Sequence, residues 1–114
     1  MILHGRLDLP GVGRHVLVLQ RVEQIPSPLD PTRWALAFEF SDGDVEISKV
    51  TGTWRRVGGS LEKFLEQLNG HPIAHDVAVD LDEFVGRDFE VDVEAKEPRG
   101  VRIRTVRPAA VAAA

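Results

Sequence analysis

Residues 33–50 read RWALAFEFSDGDVEISKV, and this stretch decides the fold. Trp34, Leu36, Phe38 and Phe40 alternate with Arg33, Ala35, Ala37 and Glu39. A period of two puts the first set on one face of a strand and the second on the other. Asp42-Gly43 is the pair favoured by two-residue type I′ hairpin turns. The predicted register then sets Phe40 opposite Val45, Phe38 opposite Ile47 and Leu36 opposite Lys49. Apolar residues meet on one face, so turn and pattern agree. The other face carries Ala35, Ala37, Ser48 and Val50, a surface of small residues.

Upstream, residues 15–23 hold Val16, Val18 and Val22 on one face and Leu17 and Leu19 on the other. A strand apolar on both faces belongs inside a sheet. Residues 24–32 (QIPSPLDPT) contain three prolines and read as a stiff loop. Downstream, Ser60 is placed to cap a helix whose stripe is Leu61, Phe64, Leu65 and Leu68, with Gly70 just past its end. Residues 71–79 are irregular, and 81–85 form one helical turn closed by Gly86. Residues 87–96 and 101–107 make a last hairpin. Phe89, Val91, Val93 and Ala95 face Val101 and Ile103, while Glu94 faces Arg102 and Asp92 faces Arg104. The predicted class is all-β with one helix, in the order β-β-β-α-β-β. That order suits a five-stranded closed barrel with the helix plugging one end. Such barrels mostly bind and seldom catalyse.

Length and composition bound the function. The 114 residues suit one domain, spanning 1–108, followed by an alanine-rich tail at 109–114 expected to be disordered. A domain of this size buries roughly two-thirds of its unfolded surface, enough for one core. There is no cysteine, which excludes disulfides and thiolate metal sites and accords with a cytoplasmic location. No signal peptide is read, and no apolar run approaches the roughly 18 residues of a membrane span. Net charge is −4, against the basic balance of most nucleic-acid binders. Net charge governs steering, however, and leaves room for a local basic groove.

Trp54-Arg55-Arg56 is the segment richest in chemistry. Single-strand binding needs cations for phosphates and flat groups on which bases stack, and these three residues supply both. Gly52 and Gly58-Gly59 flank them. Trp54 either stacks on bases or caps the end of the barrel, since large aromatics favour burial. Trp34 continues the inward stripe and is assigned to the core. Arg33, Lys49, Arg102 and Arg104 are strand cations able to reach a groove, although Arg102 and Arg104 also read as charge balance for the acids opposite. Arg99 sits at the tip of the last hairpin. Four phosphate contacts would give a salt slope of about −3.

Other motifs carry less. Gly11-Val12-Gly13 begins like a phosphate loop but lacks the Lys-Ser/Thr and the helix, so it reads as a turn. His71 and His75 lack a shared helix face, and no metal or other cofactor is predicted. No nucleophile stands beside a base, so no enzyme is predicted.

The chain resembles the small OB-fold single-stranded-DNA-binding proteins of bacteriophage and prophage replication and recombination clusters. The resemblance spans about residues 13–108. It rests on the glycine opening strand one, Ser48-Lys49, S-L-x-K-x-L-x-x-L-x-G over residues 60–70, V-D-L-D-E-F-V-G over 79–86, and a last strand closing on Pro108. It implies an OB barrel that binds single-stranded DNA, in preference to RNA, without sequence preference. Replication or recombination proteins would be its partners, and exposed strands would let copies associate. Two departures stand out. The tail is alanine rather than acidic, and strands two and three present alanine and serine outward. The rival expectation is an OB-fold interaction or structural subunit of a larger assembly.

Overall fold

The computed structural model describes residues 7–110. Five strands form one antiparallel sheet: β1 (Gly13–Pro26), β2 (Trp34–Ser41), β3 (Glu46–Thr51), β4 (Asp88–Ala95) and β5 (Val101–Pro108). Helix α1 (Ser60–Asn69) and a single 3₁₀ turn (Leu81–Glu83) lie between β3 and β4. The order across the sheet is β3-β2-β1-β4-β5.

The central strand is β1, the one with apolar residues on both faces. It is longer than the sequence pattern predicts and runs into the first proline of the loop, Pro26. Its first half pairs with β4 and its second half with β2, with a bulge between Leu19 and Arg21. The backbone of Leu19 bonds to Gly86 and Arg87, just past the 3₁₀ turn. A bulge strengthens local twist, so the sheet bends about this point.

The predicted barrel closure is corrected here. The sheet is open, with β3 and β5 as its edges. These two strands approach each other without a hydrogen-bonded ladder. Part of the reason is local: the Glu46 amide donates to the Asp8 carbonyl at 2.9 Å, in a parallel bridge of Asp8 with Val45. The segment ahead of β1 thus occupies the start of the β3 edge.

The β2–β3 register also differs from expectation. Phe40 pairs with Ile47, Phe38 with Lys49 and Leu36 with Thr51. The turn is longer than two residues because the Asp42 carboxylate accepts from the Asp44 and Val45 amides at 2.8 and 2.9 Å. Gly43, at φ 95°, takes the conformation this turn requires. The slip is two residues, so every side chain keeps its face. In the last hairpin Ala95 pairs with Val101 and Glu94 with Arg102 as predicted. A bulge between Asp92 and Val93 then sets Asp92 opposite Thr105 rather than Arg104.

The core joins Leu17 and Leu19 of β1, Phe38 and Phe40 of β2, Phe89, Val91 and Val93 of β4, and Ile103 and Val106 of β5. Helix α1 covers it with Leu61, Phe64, Leu65 and Leu68, the predicted stripe. Phe64 meets Phe38 and Phe40 edge-on, with centroids 4.8 and 6.2 Å apart. The helix begins after Gly59, and Ser60 makes no capping bond, which corrects its assignment as the cap. It ends at Gly70 in the left-handed conformation, as its sequence predicts. Of the predicted tail, residues 111–114 lie outside the described residues, as do residues 1–6 of the predicted domain. The Ala109 amide still bonds to the Asp88 carbonyl at 3.1 Å.

Candidate functional site

The β1–β2 loop, the start of β2, the end of β3 and the β3–α1 connection surround an open groove of about 1110 Å³. Strand pairing brings these parts together. Pro26 pairs with Trp34, and Leu36 pairs with Thr51, the last residue of β3. Beyond that pair β2 has no partner on its β3 side. Gln24, Leu29, Trp34, Val50, Trp54 and Arg56 are among the lining residues.

Both tryptophans of the chain line this groove. Trp54 is 80% exposed, which settles its two sequence alternatives against burial under the barrel end. Trp34 is 58% exposed, which corrects its assignment to the core. Its parity is inward, but parity is not depth. Leu36 is the last residue of the stripe with a β3 neighbour, and Trp34 projects one pair further, past the end of β3.

Arg33 lines the groove beside Trp34. The loop before it is tied by its own bonds: the Ser27 amide donates to the Arg33 carbonyl at 2.8 Å, and the Arg33 amide to the Asp30 carbonyl at 2.9 Å. The Thr32 hydroxyl and amide hold the Asp30 carboxyl below its ordinary range. The Arg33 guanidinium lies 3.5 Å from that carboxylate and remains largely in solvent. Such an exposed pair contributes little and is easily exchanged for another anion. Arg56 lines the groove without an ion-pair partner among the described residues.

Arg55 points the other way. Its guanidinium bonds both oxygens of the Glu62 carboxylate on α1 and donates to the Val77 and Ala74 carbonyls. The Arg55 side chain is 23% exposed, and Glu62 is 3% exposed. Hydrogen bonding from Arg55 holds the Glu62 carboxyl below its ordinary range. His75 stands 3.9 Å from the same carboxylate. Sequence reasoning missed this pair. Glu62 falls between stripe positions, and no local spacing links it to a loop arginine.

The remaining sequence candidates lie elsewhere. Lys49 is half-buried on β3, opposite Phe38. Arg99 is exposed in the β4–β5 turn, outside the groove lining. Arg102 bonds Glu94 at 2.6 Å, Arg104 lies 3.8 Å from Asp92, and Arg107 bonds Glu90. The Arg102 and Arg104 contacts are the charge balance that the last hairpin predicts, and the Arg107 pair is one its sequence reading did not name. Of the eight candidates, the structure brings Arg33, Trp54 and Arg56 together and adds Trp34.

No protein-family model matches the chain, and no curated protein matches it.

Proposed function

We propose that the chain binds single-stranded nucleic acid non-catalytically in the groove between the β1–β2 loop and the β3–α1 connection. The observation that carries this is the meeting of both tryptophans with Arg33 and Arg56 along one groove. Bases stack on Trp34 and Trp54 at roughly 1–3 kcal/mol each, a gain every base can supply, so binding is largely sequence-independent. Arg33 and Arg56 hold phosphates. Arg55 faces Glu62 and takes no direct part.

The sheet supports an OB-type roll. An OB fold is a five-stranded, partly open barrel that binds oligonucleotides on its strand two–three face and the loop between strands one and two. The β1–β2 loop and the ends of β2 and β3 frame this groove. DNA rather than RNA and a role in replication or recombination rest on the resemblance, and a cytoplasmic setting rests on the lack of cysteine. No helix among the described residues is long and apolar enough to cross a membrane.

Docking of a protein segment is the second function the groove supports, favoured by Leu29, which is 97% exposed at its rim. Fluorescence anisotropy of an end-labelled oligothymidylate, repeated across salt, separates the two. Nucleic-acid binding predicts saturable binding that weakens as salt rises. No binding by folded protein at low salt leaves protein docking.

A further inference from the structure

We infer that Arg55 is a positioning residue: its bond to Glu62 latches the β3–α1 connection so that Trp54 and Arg56 face the groove. Residues 52–59 contain Gly52, Gly58 and Gly59 and belong to no strand or helix. Glycine gives a segment wide conformational freedom, and ordering it costs entropy. Arg55 is the one residue of this segment with side-chain hydrogen bonds to elements outside it among the described residues.

Those bonds reach two separate parts of the fold. Glu62 sits on α1, whose Leu61, Phe64 and Leu65 are locked in the core. Ala74 and Val77 belong to the connection after the helix. Both carboxylate oxygens face the guanidinium, a fork geometry that fixes direction as well as distance.

The consequence follows from chain geometry. The chain bends at Thr53 and Trp54, and exposure shows which way each side chain turns. Burial alternates, with Thr53 and Arg55 half-buried and Trp54 and Arg56 exposed. With Arg55 turned inward, both neighbours turn outward. Besides Arg55, the one basic side chain near Glu62 among the described residues is His75, at 3.9 Å and half in solvent. The other bonds on this segment, among them those from the Thr51 hydroxyl to the Gly52 carbonyl and from the Gly59 amide to the Arg56 carbonyl, lie at its two ends, so Arg55 is the tie nearest Trp54 among the described residues. The ordering of Trp54 stands by itself; its effect on ligand affinity rests on the function proposed above.

The test uses full-length protein carrying Trp34→Phe, which leaves Trp54 as the only indole. Time-resolved anisotropy then reports its nanosecond motion. Arg55→Ala should raise the amplitude of the fast component at least about two-fold, and Arg55→Lys by less, since an ammonium reaches fewer of the same acceptors. Leu65→Ala, which weakens the core beneath the helix, should leave that amplitude unchanged well below its unfolding midpoint. In the same background Arg55→Ala should weaken oligothymidylate binding roughly ten-fold. An unchanged fast component in Arg55→Ala and Arg55→Lys overturns the latch, as does an equal rise in Leu65→Ala. If Arg55→Ala does not fold, Arg55→Lys decides alone. If Trp54 loosens as expected but the parent binds no oligonucleotide, the latch stands and the proposed function falls.

Discussion

Trp34 and Trp54 line the same groove, one at the start of β2 and the other just after β3. Neither belongs to the core, which is filled by phenylalanine, leucine, valine and isoleucine. Two large exposed aromatics on one concave surface cost solvation unless something covers them, and such patches mark interaction sites.

Each tryptophan should contribute separately. Trp54→Ala and Trp34→Ala should each weaken oligothymidylate binding by between about 5- and 150-fold, the equivalent of roughly 1–3 kcal/mol. Anisotropy titration of each folded variant checks this. The surface position of both residues means that thermal unfolding should change little.

Two phosphate contacts imply a shallow salt dependence. Arg33 and Arg56 together give a slope of log affinity on log salt of about −1.4, against about −3 if four cations took part. Arg56→Gln should flatten the slope by about 0.7. Arg102→Gln and Arg104→Gln should leave it unchanged, because neither arginine lines the groove. Titrations at several salt concentrations distinguish these outcomes.

Much of this was legible in the sequence. The alternation of residues 34–40 located β2 and its inner face, and the stripe of α1 named the residues that cover the core. Two kinds of information were not local. Trp34 obeys the stripe yet lies beyond the end of β3, so its exposure depends on where a neighbouring strand stops. The turn after Ser41 looked like a two-residue hairpin, but the Asp42 side chain competes for the following amides and lengthens it. Barrel closure failed as an expectation for a similar reason. Pairing at the β3 edge depends on the segment around Asp8, which no hairpin pattern announces. The latch between Arg55 and Glu62 joins a loop to a helix face and carries no periodic signal.

Acid should expose the latch. In the folded state Arg55 holds the Glu62 carboxyl below its ordinary pKa, and the amides of Val45 and Asp44 do the same for Asp42, so both stay ionised to lower pH. A carboxyl depressed in the folded state contributes stability that is present above its unfolded value, about 4. That contribution is lost as pH falls through the lower folded value. The thermal midpoint should therefore hold steady from neutrality to about pH 5 and decline below about pH 4. Glu62→Gln should lower the midpoint at neutral pH and make the acid decline shallower. Parallel profiles for parent and variant would contradict the coupling.

Stability should depend sharply on two positions. Phe64→Ala removes the ring that meets Phe38 and Phe40 and should cost about 3–5 kcal/mol in urea unfolding. Gly70→Ala forces a left-handed residue to carry a Cβ, costing roughly 1–2 kcal/mol. That Cβ would also stand 3.2 Å from the Pro108 ring, so the loss should sit at the upper end.

The most direct test needs no label. Both tryptophans line the groove and the chain has no others, so intrinsic emission reports on the groove alone. Adding an oligothymidylate at low salt should quench that emission saturably, and raising the salt should restore it. Emission that stays constant through the titration, with the protein folded, would contradict base stacking in the groove.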